Sequence, residues 1–368
     1  MNSRRQVVFI GALPPPTTGM TLMTKAIVQP LALAGPIEIF DLSRGKDLSG
    51  WRWSLARNWG TFKALLRLLT RGPRPGCILY RPLNSRAGLY TDWFIVAITR
   101  LLRYQLVLHH HVYYYIDDYD WRAALLFRLA GPRATHVVHC PLMREHLLKQ
   151  YPLDVPFLYV PPTVVLHDLP ARETHLRREI AEGRQATRPS RLGFLGNLTF
   201  GKGLREALQL FEQLHAQDPQ IRLILAGACR GAERDLLDAA VERFPHAIDY
   251  RGPVYDDQKR QFLQDVDVLL LPTQSDSWGI VLSEALSCGA PVIANDRGCI
   301  PWIVQDGCGL VVPHSSDFVS AAAQQLESWQ RDPSQFGEAC QAARRRSDEL
   351  EAESRRLLPE FVAAVRER

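Results

Sequence analysis

The 368-residue sequence contains no run of about eighteen apolar residues, so no membrane-spanning helix is expected. Its seven cysteines are odd in number, scattered, and never spaced Cys-x-x-Cys. That usage sets aside a disulfide frame and a zinc ribbon, and fits free thiols in a reducing cytoplasm. No Gly-x-Gly-x-x-Gly follows the first apolar stretch, so hydride chemistry on a dinucleotide finds no support. Gly196 to Lys202 approaches the Gly-x-x-x-x-Gly-Lys of a P-loop, but residue 203 is Gly. A P-loop needs a Ser or Thr hydroxyl there for magnesium, which weighs against an NTPase. No recognised nucleic-acid motif is present, and nucleic acid is not expected as a partner.

What the chain does have is an ordinary globular composition, 46% apolar and 23% charged, at a length that suits two domains with their own cores. Charge is unevenly shared. Residues 1–160 carry 20 Lys and Arg against 9 Asp and Glu, whereas the remainder carries 24 against 30. A basic first part and an acidic second part imply different partners.

The most informative stretch runs from Val266 to Ile293. Val266-Asp267-Val268-Leu269-Leu270-Leu271 reads as a strand covered on both faces, ended by Pro272. Ser275, Asp276 and Ser277 offer N-cap oxygens for a following helix, and Gly289 with Pro291 marks its end. Such a turn aims backbone N–H groups and the positive end of a helix dipole at an anion beyond the strand. Two acids flank that spot. Asp276 precedes the helix, and Glu284 lies about five residues in, ~7 Å below its tip. A nucleotide-sugar matches this layout, with a diphosphate for the donors and hydroxyls for the acids. The plainer reading is that Asp276 only caps the helix and Glu284 pairs with a nearby cation.

Earlier in the chain, Val7–Ile10 reads as a first strand, not as a leader segment, because Pro14-Pro15-Pro16 cuts the apolar run short. The small-residue loop from Gly11 to Thr21 precedes a helix from about Leu22. Trp51, Trp53, Trp59, Phe62, Leu65, Leu66 and Leu69 interleave with Arg52, Arg57, Lys63, Arg67, Arg71 and Arg74. That segment reads either as an interfacial helix facing anionic lipid or as an ordinary surface helix. Strands are expected at Cys77–Tyr80 and Leu106–Leu108, the second ending in His109-His110-His111. Alternation puts His109 and His111 on one side, but no spaced His, Asp or Glu completes a ligand set, so no metal site is assigned. The aromatic, acidic run Tyr113–Trp121 either grips an acceptor or packs as a lid. Residues 166–190 read as a linker with a short helix. A second domain follows from Arg191, with strands at Ile221–Gly227 and Ile248–Val254, giving a parallel α/β sheet.

The spacing Asp276-(seven residues)-Glu284, followed by Ala-Leu-Ser-Cys-Gly-Ala-Pro-Val-Ile, resembles the signature of the retaining family-4 glycosyltransferases of the GT-B fold. The first acid in that family is usually Glu; here it is Asp276. The resemblance implies two Rossmann-like domains facing a cleft: residues 1–170 for the acceptor, 171–345 for the donor, and a helix over 346–368 that crosses back. It implies Lys202 and the N–H groups of Trp278, Gly279, Ile280 and Val281 on the donor diphosphate, and Glu284 on the ribose. Asp276 and His111 would meet the transferred sugar, backbone near Val254 the base, and Gly19 the cleft. The family commonly places an arginine where Asn197 stands, so one cation of the expected pair is missing.

The expected activity is therefore retaining transfer of a sugar from a nucleotide-diphosphate sugar to a glycan or lipid-linked acceptor, as in envelope polysaccharide assembly. No cofactor and no metal are expected. The expected location is cytoplasmic, peripheral at the inner face of the membrane, with an anionic membrane surface as a further partner. The alternatives are a sugar-nucleotide epimerase of the same fold and a non-catalytic basic membrane-surface binder.

Overall fold

The computed structural model describes residues 5–15, 18–43, 50–166, 171–183 and 188–367. The side chains of Trp51, Arg52, Trp53 and Arg57, part of the aromatic-basic segment, lie outside what is described. The chain divides into two compact units, Met1–Asp168 with Ala352–Arg368, and Leu169–Glu351.

The first unit holds a six-stranded sheet of β1 (Val7–Gly11), β2 (Ile37–Asp41), β3 (Ile78–Pro82), β4 (Gln105–His109), β5 (Thr135–Val138) and β6 (Phe157–Tyr159). The order is β2-β1-β3-β4-β5-β6 with every neighbouring pair parallel. The central strands β1 and β3 are buried along their whole length, which is why their sequences run apolar without alternation. Val7, Phe9, Ile78 and Tyr80 pack with Met23 and Ile27 of the Gly19–Ala34 helix and with Phe361 and Val365 near the chain end. That helix starts at Gly19, three residues before the expected Leu22. A capping box explains the difference: Thr18 Oγ1 accepts from Thr21 N, and Thr21 Oγ1 accepts from Thr18 N.

The second unit repeats the plan with β7 (Arg191–Leu195), β8 (Arg222–Ala226), β9 (Ile248–Tyr250), β10 (Val268–Leu271), β11 (Val292–Asn295) and β12 (Gly309–Val312). The order is β12-β11-β10-β7-β8-β9, again parallel throughout. The Leu204–Gln217 helix buries Leu204, Ala207, Leu208, Phe211 and Leu214, a stripe at helical spacing, against β7 and β8 residues such as Phe194 and Leu223. The chain winds from β7 outward through β8 and β9, then restarts on the other side with β10. The switch point of this sheet therefore lies between β7 and β10, where a crevice opens beyond the strand carboxyl ends.

The short helix expected within residues 166–190 is present as Ala171–Gly183 and is pinned to the second unit. Arg177 and Arg260 both pair with Glu173, and Arg177 also donates to Ser287 Oγ. Among the described residues, no helix is long and apolar enough to cross a membrane.

Candidate functional site

The loops leaving β7 and β10 meet at the switch point of the second unit. Gln274 N donates to Gly201 O at 2.9 Å, which fastens one loop to the other. Gly203, between the turn Phe200–Lys202 and the Leu204–Gln217 helix, has φ +89°, and a Cβ there would sit 2.3 Å from Pro272 O. Only glycine lets the loops approach this closely. The β11 loop closes in as well: Cys299 N donates to Ser277 O at 2.9 Å, and a Cβ on Gly298 would lie 2.2 Å from Asp276 O.

Three loops thus present a compact set of charges. Lys202 Nζ donates to Asp276 Oδ2 and to Ser275 O, each at 2.8 Å. Asp276 Oδ1 accepts from Gly279 N at 2.8 Å. Gly279 is the N-cap of the Ile280–Ser287 helix and sits at φ +69°, ψ +64°, so the helix begins at Ile280 and not directly after Ser277. One of the expected anion donors, the Gly279 N–H, is thus engaged by Asp276, whereas the first-turn N–H groups of Ile280 and Val281 have no intrahelical acceptor. Trp278 is 2% exposed and donates from Nε1 to Ser283 Oγ, so its side chain anchors the turn. The expected N-cap role of Asp276 is not what the structure shows: the helix N-cap is Gly279 without a side-chain cap, and Asp276 instead accepts from Gly279 N and pairs with Lys202.

Glu284 is buried on this helix, and Lys259 Nζ lies 2.6 Å from its Oε1. Lys259 was not singled out from the sequence. It comes from the Asp256–Asp265 helix, and no spacing relates it to Glu284. Asn197 is exposed in the β7 loop, and Val254 is half-buried in the loop after the edge strand β9. Arg297, beside Gly298, has a buried Nε without a hydrogen-bond partner.

On the first unit, Gly19 is exposed at the start of its helix. The loop after β3 is held by a buried ion pair. Asp92 accepts from Arg81 Nε and Nη2 at 2.9 and 2.6 Å and from Asn84 N and Nδ2, both at 2.8 Å, while Arg81 Nη1 donates to Ile10 O. His111 is 5% exposed just past β4. Burial pushes its imidazole down to about 3, so it is neutral at pH 7.

The alternation expected for the histidines is present. His110 faces one side, bonding Tyr115 Oη and His136 Nδ1, each at 2.9 Å. His109 and His111 face the other, with ring centroids 4.0 Å apart. There His139, just past β5, joins them, and ligand atoms of all three lie within 4.8 Å of one another. The sequence reading found no third ligand because it could not see the parallel β4–β5 pairing that aligns these strand ends. In the aromatic run, Tyr113 and Tyr115 are core residues, whereas Tyr114, Tyr119 and Trp121 are exposed.

Residues 177–346 match the family described as Glycosyl transferases group 1. A D-inositol 3-phosphate glycosyltransferase of Paenarthrobacter aurescens is 27% identical over 203 residues, 53% of this chain and 49% of that protein. A GDP-mannose:cellobiosyl-diphosphopolyprenol alpha-mannosyltransferase of Xanthomonas oryzae pv. oryzae is 29% identical over 150 residues, 40% of this chain and 39% of its own length. The chain spans about half the length of the first of these relatives and less of the other. Among solved structures, sucrose-phosphate synthase from Thermosynechococcus elongatus superposes with a TM-score of 0.70 at 16% identity, covering 98% of this chain and 100% of that one. HepE of Anabaena in complex with UDP-glucose gives 0.62 at 15% identity, covering 98% and 99%. The fold is that of the GT-B glycosyltransferases.

Proposed function

From the match of residues 177–346 to the group 1 glycosyl transferases, we propose that this chain is a retaining glycosyltransferase that uses a nucleotide-diphosphate sugar and needs no metal. The observation that carries this reading is the Lys202–Asp276 pair beside the Ile280–Ser287 helix N-terminus, at the switch point of the second unit. An incoming diphosphate gives Lys202 a new partner and meets the N–H groups of Ile280 and Val281. Asp276, released from the lysine, is then free to accept from sugar hydroxyls. Glu284 takes the ribose hydroxyls, and backbone near Val254 takes the base.

In the reaction the bond between the sugar anomeric carbon and the diphosphate oxygen breaks. The acceptor hydroxyl forms its bond to that carbon on the same face, and its proton passes to the departing diphosphate. Negative charge builds on the leaving group in the transition state, where Lys202 and the oriented N–H groups stabilise it without reorganising. His111, neutral, offers a hydrogen bond to a sugar hydroxyl.

For the acceptor we propose a lipid-linked glycan at an anionic membrane surface, with the protein cytoplasmic. A groove of about 780 Å³ between the Gly50–Arg71 and Gly88–Leu101 helices supports this. Phe62, Leu66, Leu69 and Phe94 line it and are 44–65% exposed. Lys63 stands on the same helix, and Arg67 and Arg71 are both paired with Glu38. Apolar side chains flanked by cations match an anionic lipid interface. HepE was solved with UDP-glucose, which favours a nucleotide-sugar donor here, and the Xanthomonas relative is named for a diphosphopolyprenol acceptor, which favours a lipid-linked one.

The reading is tested by incubating the protein with nucleotide-sugars and a lipid-linked glycan in EDTA, and following the anomeric protons by NMR. Transfer with the donor's anomeric configuration is expected. Conversion of the donor alone, with no product on any acceptor, would point to an epimerase and overturn it.

A further inference from the structure

We propose that His109, His111 and His139 form a binding site for a divalent transition-metal ion of the zinc class on the first unit. All three are buried, and ligand atoms from each lie within 4.8 Å of one another. His109 Nε2 and His111 Nε2 are enclosed with no hydrogen-bond partner. A buried polar atom in that state is costly, and a lone pair directed at a cation satisfies it.

The second nitrogen of His109 is already held. Its Nδ1 hydrogen-bonds to Tyr80 Oη, itself fully buried in the sheet. When Nδ1 carries the proton and the tyrosine oxygen accepts it, Nε2 is left as the free ligand. This is the arrangement by which outer groups orient metal-binding imidazoles. Three neutral nitrogens suit zinc, copper or nickel better than magnesium or calcium, which prefer oxygen. A tetrahedral ion with metal–nitrogen bonds of about 2.0–2.1 Å needs ligand nitrogens about 3.4 Å apart. The ligand atoms, within 4.8 Å of one another, would draw in to that separation on binding an ion, with the fourth position open for water or a substrate oxygen.

The proposal does not rest on the transferase reading. If both hold, His111 cannot serve an ion and a sugar hydroxyl at once, so a bound ion slows transfer.

The test is cobalt and zinc titration of the full, tag-free chain after chelator dialysis, read by the visible bands of four-coordinate cobalt and by calorimetry. One cobalt equivalent with those bands, displaced by zinc, is expected. His109→Gln and His139→Gln lose the bands, whereas His136→Gln, a buried histidine outside the cluster, and His175→Ala, an exposed one, keep them. Tyr80→Phe weakens binding about 10- to 100-fold, a change a packing role for the histidines would not produce. Wild-type protein without stoichiometric cobalt, or bands that persist in both cluster variants, would overturn the proposal. Should the cluster variants fail to fold, the wild-type titration and Tyr80→Phe decide it.

Discussion

Lys202 Nζ donates to Asp276 Oδ2 across 2.8 Å, joining the loop after β7 to the loop after β10. The pair is part-exposed and adds little to stability on its own, as is usual for such contacts. Under the proposed transferase function, this cation and anion would exchange partners when a diphosphate and a sugar arrive. Lys202→Ala is predicted to raise the barrier by about 2–4 kcal/mol, roughly 30- to 1,000-fold in turnover, with the fold intact. Steady-state kinetics checks this, and unchanged turnover removes Lys202 from the mechanism.

Lys259 and Glu284 form the second charged pair of the site, 2.6 Å apart with the carboxylate buried. Lys259→Met leaves that carboxylate without its charged partner and should destabilise the second unit by about 1.5–3 kcal/mol. Glu284→Gln keeps the shape, removes the charge and should weaken nucleoside diphosphate binding more than it lowers stability. Urea unfolding beside calorimetry separates the two effects. Equal losses of stability and affinity in both variants would make Glu284 a packing residue.

The Arg81–Asp92 pair, 1% and 0% exposed, anchors the loop after β3. Asp92→Ala strands a buried guanidinium and is predicted to cost about 3–5 kcal/mol. A loss under 1 kcal/mol, read from the urea midpoint, would mean that water reaches this pair in solution.

Acid should weaken the first unit through His136. Burial beside Phe127, Phe157 and His110 lowers its imidazole from 6.5 to about 3. Between those values the unfolded chain binds one more proton than the folded chain. Stability from this group is therefore complete above pH 6.5 and falls, by up to about 1.4 kcal/mol per pH unit, as pH drops towards 3. His136→Gln should remove one proton from the slope of stability against pH between 6.5 and 5. An unaltered slope would show that His136 is not held neutral.

Much of the fold was legible because the two central sheets announce themselves. Val7–Ile10 and Val268–Leu271 are continuous apolar runs, the mark of strands covered on both faces. The edge strand Ile37–Asp41 is broken by Glu38 and ends in Asp41, and Phe157–Tyr159 is only three residues long; both are no more than part-buried and escape that reading. Lys202, Asp276 and Glu284 stood out in the sequence as charged candidates in two separate stretches, and the fold brings the first two together. Lys259 did not, because helix packing and not spacing brings it to Glu284. His139 could not be joined to His109 and His111 from the sequence, since only the β4–β5 register aligns residues so far apart.

The most direct measurement is calorimetric titration of UDP, GDP and ADP into wild type and Lys202→Ala, both in EDTA. One nucleoside diphosphate is predicted to bind the wild type without metal and to bind the variant about 1.5–3 kcal/mol more weakly, roughly 10- to 150-fold. Binding of none of them, or binding that appears only with magnesium and ignores Lys202, would contradict a donor site at this switch point.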